Sequence, residues 1–144
     1  QVQYKSVQLQ SVEYSFVKVL DKWFFGWQDV SIDSKTVRMA TAEKALVDMI
    51  QFHKSKYTVD LVVEKLSLYK DSLNLKKMIE YLSKMSLTTI KIFGLLLDLL
   101  KIDAGNLYSQ VRLRGTHWML PGDAKFNAKW RLYYDEYFDK YQSI

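Results

Sequence analysis

Cysteine is absent from these 144 residues, so the fold has no disulfide framework and no thiolate metal site. That suits a reducing compartment. Glycine is scarce and scattered, at Gly26, Gly94, Gly105, Gly115 and Gly122, so neither a Walker loop nor a dinucleotide fingerprint occurs. Histidine is confined to His53 and His117, without HxxxH or HExxH spacing, which argues against a His-based metal site. No serine stands in a nucleophile-elbow context. The longest apolar run, Ile92 to Leu100, is broken by Gly94 and Asp98 and falls far short of the ~20 residues of a membrane span. Internal repeats and low-complexity linkers are missing too. Neither metal nor cofactor is expected, and no membrane partner.

What is present points to a packed chain. Hydrophobic residues make up 49% and aromatics 15%, too much for disorder, and the length suits one domain with its own core. The formal net charge of +5 permits nucleic-acid contact, but an excess of lysine on solvated faces accounts for it as well. The sequence opens on Gln1 rather than Met and enters strand-like sequence at once, which suggests a fragment or processed chain lacking an N-terminal portion.

The centre of the pattern is the stretch from Val37 to Ile50. Val37 and Met39 alternate with Thr36 and Arg38, the period of a half-buried strand. Thr41 then stands where a helix N-cap belongs, with Glu43 in the first turn. Helical spacing puts Ala42, Ala45, Leu46, Met49, Ile50 and His53 on a buried face. Glu43, Lys44, Asp48, Gln51 and Lys54 fall on a wet face, and the helix is expected to lie on a sheet. His53 should end it near the last carbonyls.

Before that helix, residues 1–20 read as two strands, with phase shifts near Lys5-Ser6 and Phe16-Val17 that admit bulges. Trp23-Phe24-Phe25-Gly26-Trp27 suits a hydrophobic lid better than a base-stacking platform, because Lys22 is its one adjacent cation. Val30 and Ile32 form a strand, Asp33-Ser34-Lys35 a turn, and Thr36 to Met39 the antiparallel return. After it, Thr58 is expected to cap a well-buried helix running to about Lys70, Asn74 a third helix and Ser86 a fourth, Leu87 to Leu100. The fourth is apolar on nearly all sides and should be the middle of the helical half, with Gly94 marking a close helix crossing. Ile102 to Gln110 reads as a connector and Val111 to Thr116 as extended chain. Pro121-Gly122-Asp123 is a turn. Asn127 to Tyr134 can pair back on His117 to Leu120 as a strand, or join a helix carrying Trp130, Tyr134, Tyr137, Phe138 and Tyr141. The favoured reading is a short strand giving way to a terminal helix. The fold class is therefore α+β: a small, mostly antiparallel sheet of N-terminal strands plus hairpin packed on a central helix, then a helical half and a short C-terminal strand and helix.

Two sets of side chains could carry function. Glu43 and Asp48 could do acid–base work or hold Mg²⁺, but Glu43 suits the helix start, and Lys44 can pair with Asp48 at i, i+4. The basic set is Lys35 and Arg38 on the hairpin, Arg112 and Arg114 on one side of an extended segment, and Lys125, Lys129 and Arg131 near the end. These are the candidate nucleic-acid contacts, and a solvated sheet face explains them equally well.

Phe24-Phe25-Gly26, Val30-Ser31-Ile32-Asp33 and Val37-Arg38-Met39-Ala40-Thr41-Ala42-Glu43-Lys44-Ala45-Leu46-Val47-Asp48 together resemble the AbiEi-type antitoxins. These are transcriptional regulators of abortive-infection (type IV) toxin–antitoxin systems in phage defence. Asn127-Ala128-Lys129-Trp130-Arg131-Leu132 resembles that family's closing segment. The resemblance implies a cytoplasmic regulator whose N-terminal winged helix binds promoter DNA of its own operon. It implies a second domain that counters a nucleotidyltransferase-like toxin, generally without a stable complex, and that can add DNA contacts through a basic face. Residues 1–144 then correspond to that second, antitoxin domain, with the winged helix missing. No catalytic residue is implied, so the chain is expected not to be an enzyme. The alternative is a protein-interaction module, dimerising or docking a partner through the Trp23–Trp27 aromatics or the Tyr-rich tail.

Overall fold

A computed structural model describes residues 4–111 and 115–143, the last of them and Tyr4 by backbone alone. The fold is α+β, as its pattern implies. Two hairpins come first. β1 (Tyr4–Leu9) pairs with β2 (Val12–Val17), and β3 (Trp27–Ile32) with β4 (Lys35–Ala40), both antiparallel. Each turns in two residues with left-handed backbone, Gln10-Ser11 and Asp33-Ser34, the geometry that matches strand twist. They form two separate two-stranded ribbons rather than one sheet.

Neither ribbon has a bulge; the β1–β2 register runs unbroken from Tyr4↔Val17 to Leu9↔Val12. The phase shifts have a simpler cause. Cross-strand partners share a face, so Val7, Leu9, Val12, Tyr14 and Phe16 lie on one side, while Val17, at the end, lies on the other.

Four helices follow: α1 (Ala42–Phe52), α2 (Lys56–Tyr69), α3 (Leu75–Leu82) and α4 (Leu87–Leu99). Thr41, Asn74 and Ser86 cap α1, α3 and α4, each side-chain oxygen accepting a backbone N–H three residues on. The cap of α2 is Ser55, not Thr58; Ser55 Oγ accepts the Thr58 N–H at 3.1 Å, and the helix starts earlier than its pattern suggests. Burial on α2 is also one-sided: Val59, Val62, Val63 and Leu66 are inside, but Tyr57, Leu68 and Tyr69 are exposed. His53 ends α1 as expected, its N–H donating to the Met49 carbonyl at 3.0 Å.

α4 is the core of the helical half, with Ile90, Ile92, Phe93, Leu95, Leu96 and Leu97 all buried. Gly94 does mark a close approach, but to a side chain rather than to another helix. A Cβ there would lie 2.4 Å from the ring of Trp130, which is fully buried. Asp98, one turn further, accepts the Trp130 Nε1–H at 2.7 Å and fixes the ring over the glycine.

The segment after α4 is not a plain connector. It contains a short helix, α5 (Leu107–Val111), with Leu107 and Val111 buried. The last sheet has order β5-β7-β6, where β5 is His117–Trp118, β6 Lys125–Asn127 and β7 Leu132–Tyr134. β7 lies parallel to β5 and antiparallel to β6. A 3-10 helix, Glu136–Ser143, follows. Tyr137, Tyr141 and Lys140 on it converge on Asp60 of α2 and pin the tail to the helices. Burial pushes the Tyr141 hydroxyl up to about 12, aided by the carboxylate it donates to. No helix of the described residues is long and apolar enough to cross a membrane.

Candidate interaction surfaces

The α1 motif forms a joint. Lys44, expected on the wet face, is only 3% exposed. Its Nζ donates to both Asp48 oxygens, at 2.7 and 2.8 Å, and to the Trp23 carbonyl at 3.1 Å, and lies over the Phe25 ring. These partners satisfy an ammonium that would otherwise be costly to bury. Gly26, in left-handed backbone, passes so close that a Cβ would lie 2.8 Å from Lys44 Cγ, and its carbonyl accepts the Thr41 N–H. Glu43 reaches across to accept the Asn74 N–H at 2.7 Å. Burial raises the Asp48 carboxyl above its usual range, opposed by Lys44. Each carboxylate has a structural partner: Glu43 holds the start of α3, and Asp48 the ammonium.

The buried face of α1 is therefore rotated from the one expected. Val47 is fully buried, whereas Ala42, Ala45 and His53 are exposed. Its inner side packs on α2, α3 and α4, and it also meets β4. Gln51, expected to be wet, accepts from Ser86 and Thr89 and ties α1 to the start of α4.

The basic candidates do not gather into one face. Lys35 and Arg38 are exposed on β4, with the Arg38 guanidinium 4.6 Å above the Trp27 ring. Lys125 is paired with Asp139, and Lys129 with Asp98 at 2.8 Å. Arg131 donates to the Gly115 carbonyl at 3.1 Å. Arg112 and Arg114 lie outside the described residues. The C-terminal cations thus sit beside carboxylates, which cancels much of the field a phosphate would feel.

One buried cation escaped the sequence reading. Lys91 of α4 is 0% exposed, and its Nζ donates to the Gly115 carbonyl at 2.8 Å and meets His117 Nδ1 at 2.9 Å. An ammonium donating there requires His117 to be neutral, with its proton on Nε2. Burial, then the nearby Lys91 and Lys54 charges, hold His117 below its ordinary value. The signal was a lone lysine inside Ile90-Lys91-Ile92, on a helix otherwise apolar all round. Among the described residues, no three His, Asp or Glu side chains are placed to hold a metal ion.

Both ribbons expose apolar side chains. On the β1–β2 face, Val7, Leu9, Val12, Tyr14 and Phe16 are between 37% and 59% exposed. The β3–β4 ribbon repeats the arrangement with Ile32, Val37 and Met39. Of the aromatic run, Trp23 and Phe25 pack on the core as a lid should, against Phe52 and Tyr81, while Phe24 and Trp27 face outward. A groove of about 500 Å³, lined among others by Val17, Phe24, Trp27, Met39 and Phe52, joins the ribbons to α1.

No protein-family model matches the chain, and no curated protein or solved structure matches it.

Proposed function

We propose that this chain is the antitoxin-type regulatory domain of an AbiEi-like transcriptional regulator, cytoplasmic and without catalysis of its own. Its partners on this reading are the promoter DNA of its operon, met mainly through a preceding winged helix, and a nucleotidyltransferase-like toxin that it counters without a stable complex. The observation that carries the reading is the joint around Lys44. Gly26, Thr41, Glu43, Lys44 and Asp48, the residues on which the resemblance rests, contact one another or tie α1 to its neighbours, which is how a family signature made of fold-defining residues behaves. The β3–β4 ribbon offers the candidate phosphate contacts, Lys35 on one face and Arg38 on the other, because among the described residues neither holds a carboxylate in an ion pair, whereas Lys125 and Lys129 do.

Electrophoretic binding of the whole chain to generic duplex DNA at low and moderate salt tests the nucleic-acid part. Weak binding that fades as salt rises, and that drops in Lys35→Glu/Arg38→Glu, is expected. Absence of binding at both salt concentrations contradicts it.

A second reading, a protein-docking module, is favoured by the two exposed apolar ribbon faces. Docking through them should be insensitive to salt, which separates it from phosphate contact.

A further inference from the structure

We propose that the apolar face of the β1–β2 ribbon is the interface between two copies of this chain. The proposal rests on the docking reading and names its occupant.

The face is built for cover. An isolated two-stranded ribbon is at best marginally stable in water, and needs a third strand or an apolar packing partner. Here five apolar side chains share one side of the ladder, with only Lys5 among them at the far end, and the described residues leave them open to solvent. The opposite side carries Ser6, Gln8, Glu13 and Ser15, with the half-buried Val17 at its end, so the ribbon is amphipathic rather than merely exposed. Neither strand has the usual guards of an edge: no proline, no bulge and one charge each, Lys5 and Glu13.

Area and charge point to a second copy. The five side chains expose roughly 500 Å², so two copies meeting here bury about 1,000 Å² in total, the size of the smaller specific interfaces. The face carries one charge, Lys5 at its far end, in a chain of net charge +5. A face with so little charge suits an isologous contact, in which the same surface meets itself and like charges must not oppose.

Sedimentation equilibrium of the whole chain tests this, with Leu9→Glu/Phe16→Glu as the disrupting variant. A Glu at position 16 faces Lys5 across the ladder, so the ribbon keeps a favourable pair of its own. The wild type is expected to be dimeric at about 100 μM at both low and high salt, and the variant monomeric, its dissociation constant weakened by about tenfold or more. The helical far-UV circular dichroism of the variant should be unchanged, and its melting temperature should match that of the wild type diluted until dissociated, because the core lies in the helices. A wild type that stays monomeric overturns the proposal, as does a dimer indifferent to the two substitutions. A hydrophobic dye distinguishes the failures. A monomer that binds the dye, and loses it in the variant, has an open docking face for some other protein. A monomer that does not bind it removes the docking reading as well.

Discussion

Residues 4–40 and residues 41–111 solve the same problem in opposite ways. Both halves alternate apolar and polar positions, and both therefore have a face that water disfavours. The helices bury theirs against one another: Leu46, Val47 and Ile50 of α1 meet α2, α3 and α4, and α4 is enclosed on nearly every side. The ribbons expose theirs, so that Leu9 and Phe16 are each 59% accessible while Phe93 and Leu96 are at 0%. The lesson is that amphipathic pattern fixes which face needs cover but not where the cover comes from. In the helical half it comes from the chain itself; in the ribbons the described residues do not supply it.

The largest effect that can break this comparison lies at the Gly94–Trp130 contact. Trp130→Ala should cost about 3–5 kcal/mol, since the ring fills the space over α4 and its Nε1–H satisfies Asp98. Chemical denaturation measures it, and a loss near zero would mean the C-terminal sheet is not part of the core. Leu46→Ala should cost about 2–5 kcal/mol by the same method. Leu9→Ala, on the ribbon, should change unfolding of the dissociated monomer by less than about 0.5 kcal/mol. Equal losses at the two leucines would erase the distinction between the halves.

Lys44→Ala sharpens the account at the seam between the halves. It strips Asp48 of its partner and the Trp23 carbonyl of its donor, for about 1–3 kcal/mol. Its signature is a rise in protease cleavage around residues 20–26 at unchanged helix content.

A smaller, pH-dependent term belongs to Lys91 and His117. Folding lowers the His117 pKa from 6.5, so between the folded value and 6.5 the unfolded chain binds more protons. Stability is then fully present above pH 6.5 and falls as pH drops through that window, with a slope of at most about 1.4 kcal/mol per pH unit. Denaturant midpoints from pH 7.5 down to 5 should show the decline, and His117→Gln should flatten it.

The caps at Thr41, Asn74 and Ser86 were legible in the sequence because a cap is made within three residues. Ser55 was not, because Thr58 offers the same hydroxyl one turn away, and the two bond to each other. The four strands were readable from alternation, but not that they form two separate ribbons rather than one sheet, nor that their phase shifts need no bulge. The burial of Lys44 and Lys91 was not: their partners, the Trp23 and Gly115 carbonyls and His117, stand more than twenty residues away. Likewise Gly94 announced a close approach but not the ring it accommodates. The basic candidates were visible as residue types, whereas the carboxylates that pair with Lys125 and Lys129 are brought by the fold.

Amide hydrogen exchange across a concentration series tests the central claim most directly, that the core lies in the helices and the ribbons' cover comes from a partner. The account predicts slow exchange in α1 and α4 at every concentration, and exchange in β1–β2 that is fast in dilute chain and slows as concentration rises. Ribbon amides protected as strongly as those of α4 in the most dilute sample would contradict it, because the ribbon would then be covered within a single chain.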